Sequence, residues 1–408
     1  MKKAILVVID TGFLKDESYI TECKELCKAA NYSVETVLIQ RARNLDPQTA
    51  LRKGKLEEVQ ATLQTDDYQA LIFYNRLSFA MLRGLTEKID VDVIDRSHLI
   101  LNIFSLRARS KEAQLQIEMA RLRYALPTHL WEKGAEDQVG GGSLHNKGSG
   151  ETRSALKVRQ NRARLAELAY ELRSMKRRNQ EKKNKRQKSG LKKVALVGYT
   201  NAGKSTILNA FVKDEKRKVY AEDQLFATLD TTTRRIKVGQ YEFFLFDTVG
   251  FVSDLPSELI EAFHSTLSCV TEADLLLHVV DISNPHWLLQ KEVTEETLRR
   301  IGAQDIPRML VFNKADACIN NEIKGISAYS QKDIEQLGEK IVARLYPQEK
   351  KICVFVPYQV LGLVENYRSL LAVNILQEKE EGVVYQISGP EEMVIMFQKQ
   401  TGAKDVEG

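Results

Sequence analysis

The stretch VALVGYTNAGKST (residues 194–206) decides the fold class, because an apolar run of strand character leads directly into the pattern G-x-x-x-x-G-K-S. A glycine at each end of the loop lets backbone N–H groups approach phosphate oxygens, and the lysine adds a positive charge. The hydroxyl of Ser205 would bind Mg²⁺, and the helix that begins there points the positive end of its dipole at the phosphates. The sequence therefore predicts an α/β fold of the P-loop class, with Gly198, Gly203 and Lys204 around the phosphates of a nucleotide.

A second motif indicates which base the nucleotide carries. LVFNKAD (310–316) places Asn-Lys-x-Asp after an apolar strand, 109 residues beyond Lys204. The carboxylate of Asp316 would accept hydrogen bonds from the N1–H and the exocyclic amine of guanine. Adenine lacks that N1–H, so it would leave the carboxylate desolvated and unpaired. We expect Lys314 to lie flat on the base, and a backbone N–H of ISAYS (326–330) to reach the guanine oxygen. The residues predicted at the base are Asn313, Lys314, Asp316, Ser327 and Ala328.

The stretch FFLFDTVGF (243–251) supplies the pattern D-x-x-G at the end of an apolar strand. Asp247 would hold Mg²⁺ through water, and Gly250 would donate its N–H to the γ-phosphate with no side chain in the way. Small GTPases commonly place a glutamine directly after this pattern to orient the attacking water. Phe251 stands there instead and has no hydrogen-bonding group. We therefore expect slow hydrolysis by the protein alone, with a partner completing the site.

The threonine-rich stretch DQLFATLDTTTRR (223–235) predicts a switch loop. Such a loop supplies one hydroxyl to Mg²⁺. We predict that Thr228 supplies it, with the three threonines at 231–233 as alternatives. Asn201 suggests a further hypothesis, since its amide oxygen would suit a potassium ion beside the phosphates. The predicted Mg²⁺ ligands are Ser205, Thr228 and, through water, Asp247, and the predicted catalytic residues are Lys204, Thr228 and Gly250. The other predicted nucleotide contacts are Gly198, Tyr199, Thr200, Asn201, Ala202, Gly203, Thr206, Phe226, Ala227, Leu229, Asp230, Thr248 and Val249.

The composition is typical of a globular cytoplasmic protein. Of the 408 residues 43% are hydrophobic, which is enough for several cores, and the net charge is only +5. The N-terminal run MKKAILVVIDTGF breaks at Asp10 after about seven apolar residues, which predicts a β-strand and not a signal peptide. No apolar stretch approaches the ~18 residues of a membrane span. The five cysteines are scattered and form neither zinc-binding nor disulfide spacing.

The order of elements predicts a multidomain α/β protein with four parts. Residues 1–105 alternate short apolar strands with helix-like segments, as in a small parallel sheet. Residues 106–190 predict a basic helical hairpin whose glycine-rich loop spans 128–151. Residues 191–347 hold the nucleotide motifs. Residues 348–408 predict a small α+β domain with a strand (KICVFV), a helix (YQVLGLVENYRSLLAV) and two strand-like runs (VVYQIS and MVIMFQ).

Two apolar stripes predict that the helices of the hairpin pack against each other. The first stripe is Leu115, Met119, Leu122 and Leu126, after which Pro127 would end the helix. The second stripe is Val158, Leu165, Leu168, Leu172 and Met175, within a helix predicted over 160–187. Because each helix has only one apolar stripe, an antiparallel hairpin buries both.

The second helix of the hairpin is strongly basic. From Arg153 to Lys193 there are 16 Lys or Arg residues against three Glu, and Tyr170 is the only aromatic residue. A run of one sign fits a polyanion such as RNA, bound through its phosphates and not by base stacking. A solvated linker helix, or an acidic membrane or protein partner, remains an alternative. The predicted RNA contacts are Lys147, Arg159, Arg162, Arg173, Lys176, Arg177, Arg178, Lys182 and Lys183.

Together, GYTNAGKST, FATLD, DTVGF and NKAD resemble the motifs of HflX, a ribosome-associated GTPase family related to the Obg group. The similarity extends to IDRSHLILNIFSLRARSKEAQLQIEMARLRYALP (94–127), to GSGE (148–151) and to the C-terminal pattern, so it covers nearly the whole chain. The resemblance implies a GTPase that binds the large ribosomal subunit and its 23S rRNA and splits 70S ribosomes in the GTP state. It also implies that the hairpin loop is directed toward the peptidyl-transferase centre. We expect the chain to act as a monomer.

The chain departs from the family pattern mainly around the hairpin loop. It reads GGGSLHNKGSGE where family members carry more arginine and GPGE, and Thr231 replaces the proline that usually follows FATLD. The family's GxGKxEE-like stretch appears as LRKGKLEEV. A divergent tip near the peptidyl-transferase centre would suit protection against ribosome-targeting antibiotics, which we state as a hypothesis. The alternative function is a ribosome-assembly or RNA-chaperone GTPase that acts on free 50S subunits.

Overall fold

The computed structural model divides the chain into two compact units. The first unit comprises Met1–Glu181, Glu222–Asp230 and Val249–Leu267, and the second comprises Lys182–Ala221, Thr231–Thr248 and Ser268–Gly408. The residues that the structure describes are 1–12, 18–124, 153–187, 190–212, 226, 232–253, 264–318, 323–347, 349–368 and 370–406.

The first unit is built on a sheet of four parallel strands. Its elements are β1 Lys2–Asp10, α1 Ser18–Ala29, β2 Tyr32–Arg41, α2 Lys53–Leu63, β3 Ala70–Phe73, α3 Phe79–Thr86, β4 Asp92–Ile94, α4 Arg96–Arg107, α5 over 111–124 and α6 Arg153–Gln187, whose residues from Lys182 onward belong to the second unit. The strand order is β2-β1-β3-β4. Strand β1 is completely buried from Ala4 to Ile9, as expected of an apolar strand with neighbours on both sides. The alternation predicted from the sequence is confirmed.

Helices α5 and α6 pack through the two stripes that the sequence predicted. Leu115, Leu168 and Leu172 are buried together, with Met119, Leu122 and Met175 at the margin. Arg164 adds a hydrogen bond from its Nε to Glu118 Oε1 of 2.7 Å. Helix α6 begins at Arg153, seven residues earlier than predicted. Within the described part of the chain no helix combines the length and apolarity that crossing a membrane requires.

The second unit contains the strand–loop–helix motif in a five-stranded sheet of order β6-β7-β5-β8-β9. Its elements here are β5 Lys192–Gly198, α7 Lys204–Phe211, β6 Thr232–Val238, β7 Tyr241–Asp247, α8 His264–Thr271, β8 Leu275–Asp281, α9 Trp287–Arg300, β9 Arg308–Asn313, a 3₁₀ turn Ala315–Ala317 and α10 Gln331–Leu345. All neighbouring strands are parallel except β6, which runs antiparallel to β7. The nucleotide motifs follow the carboxyl ends of β5, β7 and β9, where open α/β sheets bind ligands.

The C-terminal part forms an antiparallel sheet of order β11-β12-β10-β13. Its elements are β10 Glu349–Pro357, a 3₁₀ turn Tyr358–Val360, α11 Leu361–Tyr367, β11 Ala372–Lys379, β12 Gly382–Pro390, α12 Glu391–Thr401 and β13 Lys404–Asp405. The prediction that MVIMFQ (393–398) is a strand is wrong, because this run lies in α12 and buries Val394 and Phe397 at helical spacing. The helix predicted over YQVLGLVENYRSLLAV ends at Tyr367, and its last residues begin β11 instead.

Candidate nucleotide-binding site

The loop between β5 and α7 requires both of its glycines. Gly203 precedes the first turn of α7 with φ 92°, a left-handed conformation that favours glycine. A Cβ atom on Gly203 would overlap Nδ2 of Asn313, and one on Gly198 would overlap the carbonyl oxygen of Val279. The loop therefore lies directly against β8 and the Asn-Lys-x-Asp segment, and its shape is set by these close approaches.

Lys204 is buried inside the loop. Its Nζ donates hydrogen bonds to the carbonyl oxygens of Gly198, at 3.1 Å, and of Tyr199, at 2.7 Å. Burial lowers the pKa of Lys204 to about 8, and the nearby charge of Asp247 opposes this shift. A phosphate oxygen is a better acceptor for an ammonium than a carbonyl is, so Lys204 is held in place for an anionic ligand.

Ser205 and Asp247 bring two oxygen ligands together beside the loop. The Ser205 hydroxyl donates to Asp247 Oδ2 at 2.6 Å, and Asp247 at the end of β7 is completely buried. Mg²⁺ prefers oxygen ligands, and in phosphate sites one or two protein groups are enough because phosphates and waters complete the shell. The described residues contain no cluster of three His, Cys, Asp or Glu side chains suited to a metal ion. A hydroxyl with one carboxylate thus fits Mg²⁺ held together with a nucleotide.

Thr248, predicted as a nucleotide contact, has a hydroxyl that already serves the sheet. It donates to the carbonyl oxygen of Leu196 in β5 at 2.6 Å, and the residue is buried. This bond joins the start of the D-x-x-G turn to the strand that leads into the P-loop. Any contact of Thr248 with a nucleotide would therefore come from its backbone.

Asn313 connects the phosphate loop to the base-binding segments. Its side-chain Nδ2 donates to the carbonyl oxygen of Ala202 at 2.9 Å, and its Oδ1 accepts from the N–H of Ala328 at 3.2 Å. Because Asn313 is buried, these bonds are shielded from water. The predicted members Asn313, Ala202 and Ala328 are thus brought together, with Asn313 as the positioning residue.

Asp281, at the end of β8, belongs to this group and was missed by the sequence analysis. Its Oδ2 lies 2.8 Å from Nζ of Lys314, while its Oδ1 accepts hydrogen bonds from the backbone N–H and the hydroxyl of Ser283. Lys314 also has a left-handed backbone, with φ 61°. The sequence signal that could have identified Asp281 is its position directly after the apolar run LLLHVV (275–280).

The two segments expected around the base are tied to each other by their backbones. The N–H of Ile326 donates to the carbonyl oxygen of Phe312 at 2.8 Å, and that of Ala315 donates to Ile326 at 3.1 Å. Asp316 is exposed within the 3₁₀ turn that follows β9, so its carboxylate is accessible to a base. The N–H of Ser327 donates to Asp333 in the first turn of α10 at 2.9 Å.

Of the predicted switch loop (223–235), the structure describes Phe226, in the first compact unit, and residues 232–235, in strand β6 of the second unit. Thr232 and Thr233, which were the alternative Mg²⁺ ligands, are the first two residues of β6. Phe226 is buried with a left-handed φ of 57°, and its ring meets Phe104 of α4 edge to face with centroids 4.6 Å apart. The carbonyl oxygen of Ser253 accepts a hydrogen bond of 3.2 Å from Nη2 of Arg96, the first residue of α4. Phe251 is also buried. Its hydrocarbon side chain has no hydrogen-bonding group that could replace the glutamine of small GTPases.

Several predicted residues lie outside the described part of the chain. These are Lys147 of the loop 128–151 and the switch residues Ala227, Thr228, Leu229 and Asp230. The same holds for the side chains of Lys176, Arg177, Arg178, Lys182 and Lys183, although their backbones are in α6. Of the predicted RNA contacts, Arg159, Arg162 and Arg173 are described and all three are exposed.

A phosphate loop with its lysine and a neighbouring hydroxyl–carboxylate pair, connected through a buried asparagine to an exposed Asn-Lys-x-Asp aspartate, defines a guanine-nucleotide-binding protein of the P-loop GTPase class. Three family models match: "GTP-binding GTPase N-terminal" over 17–105, "GTP-binding GTPase Middle Region" over 107–186 and "50S ribosome-binding GTPase" over 193–314.

Curated relatives align with most of the chain. A GTPase HflX from Caldanaerobacter subterraneus is 37% identical over 364 residues, which is 88% of this chain and 84% of the relative. That from Escherichia coli is 34% identical over 399 residues, with coverage of 94% and 92%. A crystal structure of a GTP-binding protein from Sulfolobus solfataricus with GDP aligns at 24% identity and a TM-score of 0.45, over 85% of this chain and 98% of that one. The chain belongs to the HflX family of GTPases, and its reaction is the hydrolysis of GTP.

Proposed function

We propose that this GTPase binds the large ribosomal subunit and separates 70S ribosomes into subunits while GTP is bound. The observation that carries the proposal is an exposed row of arginines on α6, in the same chain as a guanine-nucleotide site. Arginines on one face of a helix suit the phosphates of ribosomal RNA. The name of the matching family model, 50S ribosome-binding GTPase, supports the same partner. The partners are then the 50S subunit, the 70S ribosome and 23S rRNA, met by a monomer in the cytoplasm.

Each described side chain of the site has a proposed role in the nucleotide cycle. Lys204 would exchange its bonds to the Gly198 and Tyr199 carbonyls for phosphate oxygens, and Asn313 would keep the phosphate and base segments in register. Ser205 and Asp247 would hold Mg²⁺, which neutralises charge on the phosphates when bound. Thr228 is the proposed remaining Mg²⁺ ligand. We also propose that potassium binds near Asn201, for which rates in potassium and sodium buffers are the test.

The same proposal places the control of hydrolysis outside the protein. Phe251 is buried and offers no donor or acceptor to an attacking water. Because a water-orienting group is worth orders of magnitude in rate in other GTPases, we expect slow turnover by the protein alone. Ribosomes would raise that rate by completing the site. A turnover number that 70S ribosomes leave unchanged would contradict this part of the proposal.

Sucrose gradients of 70S ribosomes provide the test. With GTP or a non-hydrolysable analogue the 70S peak should shrink and free subunits should appear, whereas GDP should leave the peak intact. A variant with Arg159, Arg162 and Arg173 all changed to Gln should keep its GDP affinity and lose splitting, since these exposed residues lie on α6. Co-migration with free 50S subunits beside an intact 70S peak would favour the assembly function instead.

The loop 128–151 is proposed to determine what the docked protein does. Replacing 137–150 with a glycine-serine segment of equal length should abolish any protection against ribosome-targeting antibiotics, while GTP binding stays unchanged. Unaltered protection in cells that express the variant would reject a role of the loop in resistance.

A further inference from the structure

The face of α6 that points away from α5 carries an exposed tyrosine among arginines. Leu168 and Leu172 occupy the opposite face, buried against α5. On the outer face Tyr170 is 75% exposed, which is unusual for a side chain with a large apolar ring. Arg162 and Arg173 are exposed on the same face. Burial within the hairpin therefore does not explain why a tyrosine occupies position 170.

Helical spacing aligns these side chains into two short rows. Arg162 and Arg173 are eleven residues apart, as are Arg159 and Tyr170, and eleven residues make about three turns of a helix. The two rows are separated by about 60° around the helix axis, at about 100° per residue. Arg162 and Arg173 are about 16 Å apart along the axis, at about 1.5 Å per residue. This length suits a few consecutive nucleotides of a single strand.

The ring of Tyr170 is left largely uncovered by its neighbours on the helix. Side chains on a helix lean toward its N-terminus, over the residues three and four positions earlier, which for Tyr170 are Glu167 and Ala166. Ala166 is exposed and too short to cover the ring, and the Glu167 carboxylate accepts a hydrogen bond of 2.7 Å from Arg164. One face of the tyrosine is therefore accessible to a flat ligand of the size of a nucleobase.

The glutamates of α6 that are near Tyr170 are Glu167 and Glu171, which lie about 60° and about 100° around the helix axis from it. Glu167 accepts a hydrogen bond of 2.7 Å from Arg164, which also pairs with Glu118 of α5. In the part of the chain that the structure describes, neither Arg162 nor Arg173 takes part in a salt bridge. Because Arg164 compensates the charge of Glu167, Arg162 and Arg173 make the outer face of α6 positive and complementary to a phosphate backbone.

We propose that the outer face of α6 binds unpaired RNA, with one base stacked on Tyr170 and adjacent phosphates contacted by Arg162 and Arg173. The proposal rests on the ribosomal partner proposed above and states which structural element of the RNA is bound. It replaces the interpretation, made from the sequence, that α6 contacts phosphates alone. Stacking on an aromatic side chain accepts any base, so this contact selects unpaired nucleotides and not a particular sequence.

The test measures binding of the full-length protein to a 12-nucleotide oligouridine RNA that carries one central 2-aminopurine, and to an RNA duplex of equal length. Tyr170→Leu should weaken single-strand binding about 5- to 150-fold and leave duplex binding unchanged. Tyr170→Phe keeps the ring and should restore binding, together with the quenching of 2-aminopurine that reports stacking. Arg162→Gln should instead reduce the slope of log affinity against log salt by about 0.7.

Tyr358→Leu provides the matched control, because Tyr358 is a half-exposed tyrosine in the 3₁₀ turn that follows β10. It should bind both RNAs as the wild type does. Equal single-strand affinity of Tyr170→Leu and wild type would overturn the proposal, as would an equal loss on single strand and duplex. The proposal would also be overturned if Tyr170→Leu lost binding to anionic lipid vesicles but kept its affinity for the single-stranded RNA. If Tyr170→Leu behaves as expected but 70S ribosomes are never split, the RNA face stands and the proposed function fails.

Discussion

Nucleotide binding should draw protons onto Lys204, because burial has lowered the pKa of its ammonium group from 10.5 to about 8. Phosphate oxygens at Nζ favour the charged form, so the pKa should return to at least its ordinary value in the complex. The difference corresponds to about 3 kcal/mol of interaction recovered on binding. Proton uptake equals the neutral fraction in the free protein, which is about 0.1 at pH 7, about 0.5 at pH 8 and about 0.9 at pH 9.

The lowered pKa of Lys204 also determines how this group changes the stability of the free protein as the pH rises. The buried ammonium destabilises the folded state at pH values below about 8. Between about pH 8 and 10.5 the unfolded chain binds more protons than the folded one, so the contribution of Lys204 to stability rises with pH. Bound GDP should remove this rise.

Calorimetric titration with GDP in buffers of different ionisation enthalpy measures the uptake directly. Lys204→Arg is the control, because its side chain stays protonated throughout and should show no increase of uptake from pH 7 to 9. Ionisation of guanine itself affects both proteins equally. An uptake that stays constant in the wild type over this range, or that rises equally in Lys204→Arg, would show that Lys204 does not take up the proton.

Three other substitutions test the base site and the hairpin. Asp316→Asn should weaken GTP binding at least 100-fold and favour xanthosine triphosphate, whose exocyclic oxygen at C2 accepts from the new amide; competition binding decides this. Asn313→Ala removes the bonds to Ala202 and Ala328, so GDP should dissociate roughly 10- to 100-fold faster and the stability should fall by about 1–3 kcal/mol. Unchanged dissociation of a fluorescent GDP would exclude that coupling. Leu168→Ala should destabilise the hairpin by about 2–5 kcal/mol in hydrogen exchange, with GDP affinity preserved as the internal control.

The nucleotide motifs could be predicted because their chemistry depends on short local patterns. The chain approaches β8 at Gly198 and Asn313 at Gly203 so closely that only glycine fits. These two glycines are part of the loop motif, so the motif is visible in the sequence. The hairpin could be predicted for a similar reason, since Leu115 and Leu168 belong to periodic stripes that need a partner. The partner of Lys314 was not predictable, because Asp281 lies 33 residues away and only the pairing of β8 with β9 brings them together.

The errors of prediction occurred where the apolar pattern was ambiguous. MVIMFQ is continuously apolar, so its period cannot distinguish a strand from a helix, and packing of Val394 and Phe397 against the sheet decides for α12. Strand β11 was missed because it lies at the sheet edge and is mostly exposed, so it lacks an apolar run. The position of Tyr170 relative to Arg162 and Arg173 became meaningful only once the buried face of α6 was known.

The proposed function requires that the nucleotide bound at this site controls the separation of ribosomal subunits. Sucrose gradients of 70S ribosomes with Asp316→Asn, in the presence of a non-hydrolysable analogue of either GTP or xanthosine triphosphate, test it most directly. We expect this variant to reduce the 70S peak only with the xanthosine analogue, whereas the wild type should do so only with the guanosine analogue. Loss of the 70S peak that is independent of the nucleotide, or an intact peak with every combination, would contradict the account.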